Sequence, residues 1–284
     1  GYFNPLVGLY LMPRSLDYRD VEAYERYNPA RGIYEKYQPY SEQADSYFSE
    51  NPYWVANREL FLNNKKRYMM SASLKYEILS WLNISGRVRL DNDYGTKEEK
   101  LYASTTNFLV GWKPEFGPHD KGYYSVGNSK DEQTYADIML NMNKNFGEDF
   151  SLTANLGSSY NDRYSTSLSA GGYLFRLPNV FSAANFNPQI GGSGQGYSRA
   201  KNVAVFGSAE LGYKGMLYLS VTGRNDWSSQ LVNSAEPSFF YPSVGLSGVI
   251  SQMVKLPQFI NYLKVRGSYT EVGSPISKTG ITPG

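Results

Sequence analysis

The chain has no cysteine in its 284 residues, which removes disulfide frameworks, thiolate metal sites and cysteine nucleophiles together. It has one histidine, His119, in a Pro- and Gly-containing stretch. A lone imidazole with no second His or Cys reads as a solvent-facing loop residue, not a metal ligand or general base. Charge of either sign is not in excess: 28 basic residues face 26 acidic ones, for a formal net charge of +2, in mixed order. No polycationic face argues for nucleic acid. Nowhere do about 18 apolar residues follow one another, so no transmembrane helix is expected. That absence leaves a membrane β-barrel open, because barrel strands alternate and hydropathy windows miss them.

What is abundant is tyrosine, at 26, and glycine, at 27, with aromatics at 15% and a low mean hydropathy of -0.48. Together these suggest many strands with one wet face, as in barrels or sandwiches. Eight segments alternate with period two. In the second, Leu82, Ile84, Gly86, Val88 and Leu90 oppose Asn83, Ser85, Arg87, Arg89 and Asp91. The first, Arg67 to Glu77, sets Tyr68, Met70, Ala72, Leu74 and Tyr76 against a row with Lys75. Ala136 to Met142 carries Asp137 on its polar side, and Phe150 to Leu156 follows. Val203 to Tyr213 carries Glu210, Leu217 to Val221 comes next, and the last pair runs Val244 to Ile250 and Leu263 to Tyr269, with Lys264 and Arg266 on the polar row.

The links alternate between short and long. Short ones are expected around Leu79-Ser80-Trp81, Gly147-Glu148-Asp149 and Lys214-Gly215, with a moderate one from Gln252 to Asn261. Long ones run roughly from Gly95 to Asp131, Ser165 to Lys201 and Asn225 to Ser238. Outer-membrane barrels pair short periplasmic turns with long external loops in this way. Tyr76 and Trp81, Phe146 and Phe150, and Tyr213 and Tyr218 flank the short turns, where an interfacial aromatic girdle would lie. The expected organisation is a loop region over 1–64 with a short helix around Val21 to Tyr27, eight barrel strands over 65–272, and the start of another external loop over 273–284. The opening Gly1-Tyr2-Phe3, with no basic or apolar leader, suggests an internal part of a longer protein. Ile190 to Gly196 reads as a flexible loop tip, and Asp91-Asn92-Asp93-Tyr94-Gly95 as an acidic cluster at a strand end whose spacing fails a calcium loop.

No catalytic constellation emerges, so an enzyme is not expected, nor a metal or other cofactor. Ligand contact by loop side chains is the better functional reading, because Tyr and Trp combine a broad apolar face with a polar handle. The candidates are Tyr53, Trp54, Tyr123, Tyr124, Tyr173, Arg224, Asp226 and Trp227, the last three favoured because the sixth strand should leave the membrane there. The row Lys75, Arg87, Arg89, Asp137, Glu210, Lys264 and Arg266 is expected to face a lumen. So many charges suit a wide, wet lumen better than the filled interior of a closed eight-stranded barrel.

Asn51-Pro52-Tyr53-Trp54-Val55-Ala56-Asn57, followed by Lys65-Lys66-Arg67-Tyr68 and a strand, resembles SusC-type TonB-linked outer-membrane transporters. The blocks Ala204-Val205-Phe206-Gly207-Ser208-Ala209, Tyr213-Lys214-Gly215, Leu217-Tyr218-Leu219-Ser220-Val221, Arg224-Asn225-Asp226-Trp227-Ser228-Ser229, Phe240-Tyr241-Pro242-Ser243-Val244-Gly245 and Leu263-Lys264-Val265-Arg266-Gly267-Ser268-Tyr269 follow in that family's order. The resemblance implies an all-β fold, an antiparallel transmembrane segment of about eight strands within a barrel of roughly 22. It implies the outer membrane of a Gram-negative bacterium, a SusD-like surface lipoprotein lid as partner, and coupling to the TonB complex through an N-terminal part not seen here. The cargo it implies is an oligosaccharide or a peptide. A passive porin or barrel-anchored adhesin is the alternative, and a secreted β-sandwich binding module, with the apolar rows as a soluble core, a third.

Overall fold

A computed structural model describes residues 5–10, 12–39, 51–105, 118–232, 234 and 237–273. The fold is all-β in its main body, as the alternation predicts. Eight strands form one antiparallel sheet in simple chain order: β3 (Glu59–Leu79), β4 (Leu82–Tyr102), β5 (Gly122–Phe146), β6 (Phe150–Tyr173), β7 (Gly192–Tyr213), β8 (Leu217–Ser228), β9 (Ser238–Val249) and β10 (Lys264–Thr270). β3 and β10 are its two edges and are not paired with each other. Before them come three short helices, α1 (Pro5–Tyr10), α2 (Tyr18–Glu22) and α3 (Pro52–Arg58), and a separate hairpin of β1 (Glu25–Asn28) and β2 (Ile33–Lys36). Two one-turn helices, α4 (Pro118–Lys121) and α5 (Ile250–Met253), sit in later connections.

The short links fall where expected. Between β7 and β8, Lys214 and Gly215 both take positive φ, 50° and 67°. Two successive left-handed residues reverse the chain in the sense that matches strand twist. Gly147, at φ 64°, serves the link from β5 to β6.

Several boundaries differ from the sequence reading. β4 continues to Tyr102 and β5 begins at Gly122, so the link expected from Gly95 to Asp131 is far shorter. β6 and β7 likewise take in about half of the link expected from Ser165 to Lys201. The glycine tract is not a loop tip: Gly192, Gly194 and Gly196 lie in β7, where a Cβ on Gly196 would come 3.0 Å from Ser167 Oγ. Asp91 and Asp93 stand inside β4, paired with Arg67 at 2.6 Å and Lys65 at 2.5 Å on β3. Ladder hydrogen bonds need no apolar face, so a strand can run on after its hydrophobic alternation ends. The helix expected around Val21 to Tyr27 is also displaced. Asp17 caps α2 from Tyr18 in a reciprocal capping box with Asp20, and Glu25 to Asn28 pair as a strand instead. The sheet starts at Glu59, six residues before the expected 65.

Chain contacts divide the molecule into two compact groups. One comprises Gly1–Lys66, Asp93–Lys130 and Thr166–Tyr197, the other Arg67–Asn92, Asp131–Ser165 and Ser198–Gly284. The first group holds an enclosed core: Trp54, Leu101, Val21, Asn51 and Thr105 are its largest fully buried residues. Asn51 is a hub there. Its carbonyl oxygen side chain caps α3 by accepting from Tyr53 N at 2.9 Å, while its amide donates to Val21 O at 3.0 Å and Tyr37 O at 3.1 Å. Asn51→Ala removes the cap and strands two carbonyls, and is expected to destabilise this group by about 2 kcal/mol. Chemical denaturation monitored by hydrogen exchange of the α3 amides checks it.

In the second group β7 to β10 sort their side chains by row. Leu211, Leu219 and Leu246 are cross-strand partners, and so are Ala209, Val221, Val244 and Tyr269. The rows between them are polar: Ser208, Thr222, Ser243 and Thr270, then Glu210, Ser220, Gly245 and Ser268. The apolar row is bare, with Leu219 42% and Leu246 53% exposed. Among the described residues the only other sheet is the two-stranded β1 and β2 hairpin.

Candidate functional site

Strand parity decides which candidates can meet. On β8 Arg224 and Asp226 lie on the polar row with Thr222 and Ser220, whereas Trp227 lies on the apolar row with Val221 and Leu219. The favoured trio is therefore split between opposite faces of one strand. Trp227 is 43% exposed and Phe240, on the same face of β9, is 62% exposed. At about 3.3 Å per residue Leu217 to Trp227 spans about 33 Å, and a strand tilted by about 40° turns that into about 25 Å of height. That matches the apolar band of an outer-membrane barrel, with Trp227 and Phe240 at one margin and Tyr213 and Leu217 at the other. Trp227 thus lies on the face of β8 opposite to Arg224 and Asp226.

On the polar face Arg224 and Asp226 help line a hollow of about 380 Å³, together with Gln133, Tyr135, Asn161, Asn202, Phe239 and Tyr241. Arg224 Nε donates to Asp226 Oδ1 at 2.8 Å, and its guanidinium sits 5.3 Å from the Phe206 ring centre. Gln133 Nε2 donates to Asn161 Oδ1 at 2.8 Å. Phe206 itself packs over Gly157, where a Cβ would come 2.8 Å from its ring.

The other charges of the polar row divide by strand. Arg87 donates twice to Asp137, at 2.9 and 2.8 Å, across β4 and β5, an arrangement that locks both side chains. Lys75 reaches Glu77 on its own strand at 3.4 Å. Arg89 is exposed on β4. Glu210, Lys264 and Arg266 gather around a second hollow of about 500 Å³ floored by Gly245, Gly267 and Ser220. That cross-strand grouping depends on register, which the sequence does not display.

The loop candidates in the first group fare differently. Trp54 is 0% exposed, and its Nε1 donates to Thr105 Oγ1 at 2.9 Å; it presents no surface to a ligand, and the expectation that it binds one is corrected. Tyr124 is buried as well. Tyr123 and Tyr173 face each other edge-on, ring centres 5.5 Å apart, and both are half-buried. Tyr53 donates its hydroxyl proton to the Tyr18 hydroxyl. That hydrogen bond, with desolvation and the neighbouring Glu22, pushes the Tyr53 phenol from 10.0 up to about 12. Tyr18→Phe is expected to return its ionisation toward pH 10, read by ultraviolet titration; an unchanged late titration would break the assignment. His119 falls in α4. Among the described residues no group of His, Asp and Glu side chains could hold a metal ion, and no helix is long and apolar enough to cross a membrane.

A family model described as TonB dependent receptor-like, beta-barrel matches residues 10–282. Among solved structures the chain is similar to the RagAB peptide importer in the open-open state, with TM-score 0.68 and 15% identity over 78% of this chain and 24% of that one. It is also similar to a second structure of the RagAB peptide transporter, with TM-score 0.67 and 15% identity over 84% of this chain and 26% of that one. The chain thus spans about a quarter of the length of these structures. No curated protein matches it.

Proposed function

Because this chain belongs to the TonB dependent receptor-like β-barrel family, we propose that it forms part of the wall and external mouth of an energised nutrient importer in the outer membrane of a Gram-negative bacterium. The observation that carries the reading is the exposed apolar row on β7 to β10, backed by a continuous polar row. Such a two-faced sheet has lipid on one side and water on the other. The short links then lie at the periplasmic rim and the long ones outside.

In this reading the polar row with Lys75, Arg87, Arg89, Asp137, Glu210, Lys264 and Arg266 faces the lumen. Arg224 and Asp226 contact passing cargo from the inner wall, and Tyr53 and Tyr173 belong to the external region. Gating and energy coupling fall to a plug and a TonB-contacting segment carried by other parts of the protein, and a SusD-like surface lipoprotein serves as the lid. The cargo is an oligosaccharide or a peptide; the RagAB structures are described as a peptide importer, which keeps the second class in play. Nothing in this role calls for catalysis.

Uptake measured in the native bacterium separates this from a passive porin. Deleting TonB, or collapsing the proton-motive force, is expected to abolish import of the cargo that supports growth through this protein. Uptake that continues at the same rate in de-energised cells would favour the porin.

A further inference from the structure

The face of the sheet that bears the apolar row carries charge just where that row ends on β6 and β7. Side-chain contacts along this pair of strands fix which residues share the face. Phe206 rests on Gly157 and Asn155 donates to Ser208 on the polar side, whereas a Cβ on Gly207 would come 3.6 Å from Leu156 Cδ1 on the apolar side. Odd-numbered residues of β7 therefore face outward with even-numbered residues of β6. Beyond Val205 and Val203 the outward row continues through Lys201 to Arg199, which pairs with Asp162. The strands on either side, β5 and β8, belong to the same sheet, so what lies over this stretch is the bilayer in which the wall stands.

Val203 is the cross-strand partner of Trp227, at the outer margin of the apolar band. At about 3.3 Å per residue and a tilt of about 40°, Lys201 and Arg199 stand about 5 and about 10 Å above that margin. The headgroup layer is about 5–8 Å deep on each side of the hydrocarbon, so the first lies in it and the second at its outer edge, within reach of a long side chain. The charges are also set to favour an anion. Asp162 accepts from Arg199 Nε at 3.0 Å, from a terminal guanidinium nitrogen at 2.6 Å and from the Tyr160 hydroxyl at 3.0 Å. That carboxylate is satisfied and only 13% exposed, while the Arg199 side chain is 51% exposed. Two of the five guanidinium N–H groups are directed to Asp162, and three remain. Lys201 adds an exposed second cation on the same face. Glu132, outward on β5, is about 10 Å away, at two strand spacings.

We propose that Arg199 and Lys201 hold the phosphate of a phosphorylated lipid of the outer leaflet, whose acyl chains run down the apolar row past Val203 and Val205. A guanidinium fork beside an ammonium point charge suits a phosphate oxyanion, and the apolar row directly below suits acyl chains and not a free ion. The site rests on the reading of the sheet as a membrane wall with its short links periplasmic, and not on energised import. Native mass spectrometry of the full-length protein in detergent tests it, with phosphorylated lipid A, dephosphorylated lipid A and inorganic phosphate as probes. The phosphorylated lipid is expected to bind about tenfold or more tighter than the dephosphorylated one. Lys201→Gln, which leaves the Asp162 pair intact, and Arg199→Gln are each expected to weaken it by about tenfold. Lys264→Gln, which removes a cation from the opposite face, leaves it unchanged. Heat-modifiable migration in gels confirms that each variant is folded.

Equal binding of the two lipids, undiminished binding in either folded outward variant, or an equal loss in Lys264→Gln would overturn the site, as would displacement of the lipid by an equal concentration of inorganic phosphate. Energy-dependent uptake by a protein with no preference for the phosphorylated lipid removes the site and keeps the importer. Lipid binding that obeys the variants in a protein whose uptake ignores TonB keeps the site and removes the importer.

Discussion

Trp54→Ala is expected to destabilise the first of the two groups by about 3–5 kcal/mol, the largest effect of any single truncation considered. Trp54 has no exposed surface and lies in a core with Leu101, Val21 and Thr105. The loss has two parts. The indole leaves a cavity that its neighbours, several of them held by backbone ladders or by the Asn51 hydrogen bonds, can only partly close. It also withdraws the donor from the buried Thr105 Oγ1, leaving that hydroxyl oxygen without its partner. The α3 amides should exchange far faster while the sheet at β7 to β9 keeps its protection. Unaltered exchange in α3 would mean that Trp54 does not hold this group together.

Val221→Arg is expected to cost about 2–4 kcal/mol, the range for a cation placed near the midplane of a barrel's lipid face. Val221 stands between Ala209 and Val244 on the bare row, near the middle of the stretch from Leu217 to Trp227. Thr222→Arg, one residue along, points to the polar row beside Ser208 and Ser243 and is expected to stay within about 0.5 kcal/mol. Reversible unfolding in urea from lipid vesicles measures both. Equal costs at the two positions would show that the faces do not see different solvents.

The parts of the fold most legible in the sequence are those where water meets one face and hydrocarbon the other. Leu82 to Asp91 and Leu217 to Val221 alternate because each second residue must be apolar, and the strands stand where that pattern places them. Past Asp91 the strand carries Asp93, Thr96, Glu98 and Lys100 with no apolar alternation, although the ladder continues to Tyr102. The glycine tract was misleading for a related reason. Glycine usually marks a loop, but Gly194 and Gly196 sit in β7, where a Cβ would come 3.4 Å from Ser169 Oγ and 3.0 Å from Ser167 Oγ. Asn51-Pro52 is a helix-start signal, and α3 begins there; burial of Trp54 follows from long-range packing that no local pattern reveals.

The site was half legible. Arg224 and Asp226 share a face because they are two apart, and the same rule separates Trp227 from them; parity alone could have made that division. Gln133, Asn161, Tyr241 and Phe239 could not have been added from sequence. Their convergence depends on the registers of several strands, and a slip of one residue would send each to the other face. The Arg87 and Asp137 pair depends on register in the same way.

The absence of cysteine makes the central claim directly testable, since any cysteine introduced is the only one in the chain. Single cysteines at Leu219, Ser220, Val221 and Thr222, in the full-length protein with any cysteine outside these 284 residues replaced by serine, can be labelled in lipid vesicles with a small environment-sensitive fluorophore and quenched from either phase. Labels at 219 and 221 should be quenched by brominated lipid and shielded from aqueous iodide, and labels at 220 and 222 the reverse. Quenching by iodide at all four positions, or by lipid at all four, would contradict a wall with lipid on one face and water on the other.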